Sequence, residues 1–466
     1  MISSEVRSSS LEGQGSPAVI PGPPGYPIVG ALPKVMKDPL PFLTQAARDY
    51  GDVVHLGGFG AQKFYLVTHP DDIERVWKTH HRNYVRGSNF QLLKPLGGDG
   101  LFLSEGEPWR QHRKLLQPAF HVTRLMGMVG TINASIEAML ERWRREIAPG
   151  RPFDLEREMM SLLIEVSAKT LFGTEVAGDA AIVHETITTA FSILHRRVLS
   201  AVPFPWWVPF PRHVRFLRAV ADLDKVVYRL IDQRRRSGVE GSDVLSTLLS
   251  VRDEAGEPMP DRQLRDEVVT MLVAGHESTG ASLSWALYLL SRYPQVMRRV
   301  EAELAEVLGG RTPGFQDLPR LQYLSMVFKE TLRLYPPFWM LTRTPVADDE
   351  LSTGHRVPAG SILMFSSYVT QRRPDFWPNP EAFDPERFLL ERSEGRPQFA
   401  WYPFGGGPRV CIGARMAEMQ ALLVLAAVLQ RHDLHAVPGR RVEPAAMLSL
   451  RPKGGLWMTL HERAGF

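Results

Sequence analysis

The sequence predicts a mainly α-helical protein with a small β region. Three observations support that class. From about Asp71 to Val307 the apolar residues recur mostly at helical spacing. One stretch inside that span, Asp261 to Tyr293, would reach roughly 48 Å at 1.5 Å per residue, enough to cross a whole domain. Strand-like runs are short and bounded by glycine or proline.

Taken in order, residues 1–17 are rich in Ser and Gly and read as a disordered tail, which leaves one domain over 18–466. Pro21-Gly22-Pro23-Pro24-Gly25, continuing through Tyr26 and Pro27 to Gly30, forbids a helix and favours a stiff, extended arm. Val53–Gly57 and Phe64–Val67, separated by Gly58-Phe59-Gly60, read as a hairpin. Between Val202 and Pro211, four prolines deny regular structure to an aromatic segment. It is expected to lie as a loop over the body, where it folds onto its own core, gates an apolar substrate or touches a membrane surface. In the long helix, Asp261 is placed to act as N-cap and Pro294 to end it. Its middle, Val268 to Leu290, is apolar on nearly every face, as a helix buried all round requires. Yet His276, Glu277, Ser278 and Thr279 sit at its centre, and such a polar quartet needs an explanation. A further helix begins near Leu318. A stretch rich in Pro, Arg and aromatics then leads to Cys411, and a last helix runs from about Ile412 to Arg431.

The 466 residues are 44% hydrophobic and 23% charged, with 55 basic and 51 acidic residues and a net charge of +4. So small an excess does not suggest a nucleic-acid binder. A single cysteine excludes a disulfide framework, a four-cysteine zinc site and a self-contained iron–sulfur cluster. The N-terminus lacks the apolar core of a signal peptide, and no apolar run approaches the length of about 18–20 residues that a membrane helix needs. The expectation is a soluble, cytoplasmic protein without a transmembrane anchor.

The lone cysteine lies in Phe404-Gly405-Gly406-Gly407-Pro408-Arg409-Val410-Cys411-Ile412-Gly413. The glycines and proline make a tight turn whose backbone is open to close approach by a flat ligand. A thiolate at the start of the following helix would meet its N–H groups and partial positive charge, which lower a thiol pKa. Arg409 is placed to pair with a carboxylate of the ligand. Read alone, a single cysteine beside a glycine turn is most often a small buried hydrophobe. A phosphate cradle is a third reading, but its Gly-Lys-Ser/Thr ending is absent.

Phe404, Gly407, Arg409, Cys411 and Gly413 together match Phe-x-x-Gly-x-basic-x-Cys-x-Gly, and at this point the chain resembles the cytochrome P-450 family of the soluble bacterial type. The resemblance implies the cytochrome P-450 fold, heme b (iron protoporphyrin IX) as cofactor and Cys411 as the thiolate ligand of its iron, which favours O–O cleavage. Glu330-Thr331-Leu332-Arg333 matches the family's Glu-x-x-Arg pair, and Arg387 its third member. These three are assigned to the integrity of the fold. Trp109 and Arg113 match Trp-x-x-x-Arg and would hydrogen-bond heme propionates, with His112 and Arg343 as further partners. Ala274-Gly275-His276-Glu277-Ser278-Thr279 matches the oxygen-activation motif. Gly275 is expected to leave room for a ligand, and Glu277 beside an alcohol suits proton delivery. The position most often threonine is Ser278 here, and Ser278 is preferred over Thr279 as the active alcohol. Gln371 stands where relatives often have histidine.

By the same resemblance the pocket is lined by Phe90, Leu101, Phe102, Val269, Leu272, Val273, Ala274, Phe338 and Leu341. That apolar set implies a fatty acid, terpenoid or polyketide, hydroxylated or epoxidised with O2. Arg86 or Arg196 could anchor a substrate carboxylate, although surface placement is the ordinary fate of each. No flavin-binding glycine pattern is present, so electrons are expected from a separate protein, which the resemblance implies is a ferredoxin or flavodoxin with an NAD(P)H-dependent reductase. Arg110, Lys114 and Arg124 could form its basic docking face. A peroxide-driven peroxygenase or heme-thiolate isomerase would keep Cys411 and need no redox partner. A heme-based ligand-binding protein would need no proton relay.

Overall fold

The computed structural model describes residues 19–463 except 60–61, 174–179, 199–204, 238–242 and 253–255. The N-terminal tail, the 202–204 start of the aromatic segment and the Arg196 side chain lie outside that description.

The long helix spans Asp261–Arg292 and is buried almost continuously from Leu264 to Leu290. Pro260, not Asp261, holds the N-cap position. Asp261 sits in the first turn instead, where its charge suits the helix dipole and meets Arg235. Leu155–Phe172 packs along this central helix and is itself buried on most sides, and the two form the middle of the main apolar core. Their close approach depends on Gly275, because a Cβ there would lie 2.8 Å from Ser167 Oγ. Gly275 therefore serves helix packing, which corrects the expectation that it leaves room for a ligand.

A five-stranded sheet covers the N-terminal side, in the order Val53–Phe59, Gln62–Val67, Ile362–Phe365, Leu341–Pro345, Tyr84–Arg86. The hairpin is longer than predicted. Gly58 and Phe59 pair with Lys63 and Gln62, and a bulge between His55 and Gly57 accommodates the glycines within the strand. At the other edge Arg86 stands opposite Arg343. Two like charges directly across a ladder destabilise it unless an anion joins them.

The helix predicted from Leu318 is divided: a 3-10 segment Phe315–Arg320, with Pro319 inside it, precedes the helix Gln322–Leu334. Glu330 and Arg333 on that helix have no accessible surface. Arg333 donates to both Glu330 oxygens at 2.7 and 2.8 Å and to the carbonyls of Gln371, Pro380 and Ala382. Arg387 Nε lies 3.4 Å from Glu330. Gln371 donates to the carbonyls of Leu332 and Arg333 and accepts from the Tyr402 N–H, which ties the same layer together.

The last helix is Ala414–Arg431, with Gly413 as N-cap. In the aromatic loop, Trp206 stacks on Phe216 at 4.2 Å and lies under Arg197, while Trp207 is 82% exposed.

Candidate functional site

Cys411 is presented by a turn that is over-determined on its outer side. Gly407–Arg409 make a single 3-10 turn, and the Cys411 N–H donates to the Phe404 carbonyl at 2.9 Å. A Cβ on Gly407 would lie 1.8 Å from the Trp77 carbonyl oxygen, and one on Gly406 2.3 Å from the Phe399 ring. The glycines are thus used to seat the turn on Trp77 and Phe399. This corrects the expectation that they free the backbone for a flat ligand. Phe404 packs against the main core behind them.

The Gly413 N–H and Arg113 both favour a negative Cys411 sulfur, and Arg113 is fixed by donating to the Val410 carbonyl at 2.8 Å. Burial is nevertheless the larger influence and pushes the thiol up. The expected lowering by the helix terminus is not achieved, since the sulfur precedes the helix's first residue by three positions and that field falls off within one turn. A bound cation deprotonates such a thiol outright. Cys411 also keeps accessible surface although the protein surrounds it closely enough to desolvate it, the pattern of a side chain lining an internal cleft.

Beside the cysteine lies an excess of buried positive charge. Arg409 donates to the Ser104 carbonyl at 2.8 Å and to Glu105 Oε2 at 2.5 Å, and its guanidinium covers the Trp109 ring at 4.1 Å. Arg86 lies 3.4 Å from the other Glu105 oxygen, and its buried Nε has no hydrogen-bond partner. Arg343, over the Trp77 ring at 4.4 Å, donates only to the neighbouring Thr342 carbonyl among the described contacts. Burial holds all of Arg86, Arg343 and Arg409 below the usual arginine range. Repulsion from Arg409 adds to this at Arg86 and Arg343, and brings Arg343 to about 10. One carboxylate, Glu105, serves three guanidiniums, so the cluster favours a further anion. A porphyrin with two carboxylates and an iron for Cys411 fits these residues.

His112 does not join that cluster. Its Nε2 hydrogen-bonds Gln263 at 2.6 Å and its Nδ1 lies 2.8 Å from Glu267 without forming a hydrogen bond, so the ring is turned to the central helix rather than to a propionate. Glu267 accepts from the Leu101 N–H, and Asp266 from the Asp99 N–H. These bonds fasten the 99–101 loop to the central helix and so present Phe102. Phe102 meets Phe90 edge-on at 5.6 Å and stacks on Phe338 at 6.3 Å. Arg86 lies over Phe102 at 4.5 Å.

The middle of the central helix is open on one face only. Ala274 is exposed and Val273 and Ser278 are half-buried, while His276, Glu277 and Thr279 are buried on other faces. Ser278 Oγ donates to the Ala274 carbonyl at 3.1 Å, along this open face. Val269 and Leu272 are buried in the main core; Leu272 points away from Ala274, about 160° around the helix, whereas Val269 shares the face of Val273 one turn earlier and is covered there. Leu101 is likewise a core residue, and Leu341 is half-buried against the sheet. Glu277 departs from its predicted placement. Arg451 and Ser449, from the C-terminal region, both bond its carboxylate. Burial raises the Glu277 pKa, but Arg451, with the Ser449 hydroxyl, more than reverses this and holds it below the usual carboxylate range. In this arrangement it has no proton to deliver. Neither Arg451 nor Glu105 stands in a motif that would have marked it, and Arg86 is revealed only by its strand pairing with Arg343.

On the outside, Trp109, Arg110, Arg113, Lys114, His121 and Arg124 line a groove of about 750 Å³. The three basic residues expected at a docking face are therefore contiguous, next to the helix whose Arg113 contacts the cysteine turn.

The Cytochrome P-450 family model matches residues 20–458. The cyclooctat-9-en-7-ol 5-monooxygenase of Streptomyces melanosporofaciens is 36% identical over 421 residues, 90% of each chain. The pentalenene oxygenase of Streptomyces avermitilis is 31% identical, over 92% of this chain and 94% of that one. Among solved structures, the cytochrome P450DA heme domain superposes with a TM-score of 0.86 at 25% identity, covering 96% of this chain and 98% of that one.

Proposed function

The chain belongs to the cytochrome P-450 family, and from that premise we propose that its substrate is a neutral terpenoid, hydroxylated or epoxidised in the cleft between Cys411 and Ala274. It is a heme-binding monooxygenase that acts on a hydrophobic small molecule with dioxygen and electrons from a separate redox partner. The observation that carries the substrate class is the state of Arg86. It is the cation over the Phe90 and Phe102 rings, 3.4 Å from Glu105, and it belongs to the cluster that would be taken up by the heme propionates. A fatty-acid carboxylate finds no free anchor there, whereas a hydrocarbon or alcohol needs none. The relatives named for a cyclic alkenol and for pentalenene are consistent with that class. Spin-state titration with cyclic terpenes and terpene alcohols against fatty acids of equal carbon number tests it. Terpenoids are expected to shift the Soret band, with labelled dioxygen appearing in the product. A shift by the fatty acids alone would refute the assignment.

The cofactor we assign is heme b, which supplies the oxygen chemistry when bound, thiolate ligation favouring O–O cleavage. Cys411 would hold the iron. Arg86, Arg343, Arg409, Arg113 and the Trp109 indole would hold the propionates. Phe90, Phe102, Phe338, Val273 and Ala274 exclude water from the substrate side and orient its reacting carbon. Ser278 Oγ, the alcohol on the open face, is the group placed to hold a proton there, and Thr279 is turned into the core. Replacing Ser278 by Ala is expected to raise peroxide release per electron consumed. Unchanged coupling in Ser278→Ala, with loss in Thr279→Ala, would reverse the assignment.

We take the redox partner to be an acidic ferredoxin or flavodoxin, with an NAD(P)H-dependent reductase, docking on the groove lined by Arg110, Lys114 and Arg124. No helix among the described residues is long and apolar enough to cross a membrane, and we place the enzyme in the cytoplasm with that partner. Charge reversal at all three positions is expected to slow reduction by ferredoxin by roughly tenfold or more at low salt, through lost steering, and to flatten its salt dependence. Reduction by dithionite should not change. Equal slowing by both reductants would show that the substitutions damage the heme site instead.

A further inference from the structure

A proton-delivering carboxyl cannot be a permanently ionised one, and Glu277 is ionised. Arg451 Nε donates to Glu277 Oε1 at 2.7 Å, a second Arg451 nitrogen reaches Glu277 Oε2, and Ser449 Oγ donates to Oε1. The pair is buried, with side-chain exposures of 13% for Arg451 and 2% for Glu277. Glu156, at the start of the helix packed against the central helix, lies against the same guanidinium and faces the same nitrogen, Nε. Its Oε1 is 3.7 Å from Arg451 Nε and has no hydrogen-bond partner. His276 Nε2, 3.8 Å from Glu277, and His184 Nδ1 are also buried without hydrogen-bond partners.

Two buried carboxyls therefore share one guanidinium, and only one of them is bonded to it. We propose that Arg451 is a movable clamp between Glu277 and Glu156, and that Glu156 is a positioning residue which returns a proton to Glu277 each time the clamp swings across. This rests on the expectation raised by the family resemblance that Glu277, once released from Arg451, feeds protons toward Ser278. A single exchange balances without any further reactant, and before the next one Glu156, with 11% of its side chain exposed, takes up a proton from solvent. The Glu156 carboxyl loses a proton and becomes the carboxylate that Arg451 holds, and Glu277 gains the proton and is released. The net charge of the cluster is the same before and after.

The surrounding groups favour that exchange. Burial raises Glu156 to about 7, a shift that Arg451 opposes and that Asp154 and Glu277 reinforce, so it carries its proton below neutral pH and is about half protonated at neutrality. Burial lowers both His276 and His184, the latter to about 4. Arg451 and Arg157 also repel a charge on His184, and both imidazoles stay neutral there. Neither imidazole then competes with Arg451 for either carboxylate.

Infrared difference spectra of the heme-loaded enzyme, labelled with carbon-13 at glutamate, test this without turnover. The unmodified enzyme is expected to show a protonated glutamate carboxyl that titrates near pH 7, and Glu156→Gln to lack it. No such band, or its persistence in Glu156→Gln, overturns the proposal. In turnover, Glu156→Gln is expected to lose product per electron at neutral pH and to flatten the pH dependence of coupling seen in the unmodified enzyme. If Glu277→Gln loses coupling while Glu156→Gln keeps the full pH profile, the clamp is wrong and the relay stands. If Glu277→Gln keeps its coupling, the relay itself falls.

Discussion

Glu330→Gln is expected to lower the stability of the fold by about 3–5 kcal/mol, the cost of stranding buried charge after one partner is removed. The carboxylate accepts from Arg333 twice and from the Asp384 N–H at 2.9 Å, and Arg387 lies alongside it. Glutamine keeps the shape and one acceptor oxygen but leaves Arg333 and Arg387, both buried, with no carboxylate in contact. Arg333 cannot escape to solvent, because its remaining donors are held by the Gln371, Pro380 and Ala382 carbonyls. Denaturant unfolding followed by circular dichroism measures the loss. A change below about 1 kcal/mol, the range of an exposed pair, would show that the cluster is not the charged unit described here.

Cys411→Ser is expected to abolish monooxygenation while leaving the fold close to intact. No second thiol exists in the chain to replace the ligand. The turn that presents it is held by the backbone bond to Phe404 and by glycine packing on Trp77 and Phe399, none of which involves the sulfur. Thermal unfolding of the apoprotein should therefore shift by no more than a surface substitution does, about 0.5 kcal/mol. Product formation should fall to background. Retained turnover would remove Cys411 from its role, and collapse of the apoprotein would mean that the side chain is structural.

Much of this was legible in the sequence where a local pattern carries the physics. The central helix announced itself by length and all-round apolarity, and its span starts at the expected Asp261 and ends one residue before the expected Tyr293. Cys411 and its turn were legible because glycine, proline and a lone thiol are chemically distinctive. Their purpose was not: the glycines answer to Trp77, more than three hundred positions away, which no local reading can supply. The same limit explains His112 and Glu277. Each is a polar residue whose partner comes from another element, Gln263 in one case and Arg451 in the other. Arg86 was read as a surface cation for want of its strand partner Arg343. Val269 and Leu272 show the converse error. Both are apolar and near the motif, but Leu272 is turned into the core by helical phase and Val269 is covered by packing one turn before Val273, which leaves Ala274 and Ser278 on the open face.

The central claim is that Cys411, as thiolate, ligates a heme iron held by the Arg86–Arg343–Arg409 cluster. The absorption spectrum of the reduced protein under carbon monoxide tests it most directly. The unmodified protein is expected to give the family's red-shifted Soret band, and Cys411→Ser to lose it. A protein that binds no heme, or one with the unshifted band of an imidazole-ligated heme, would contradict the account at its centre.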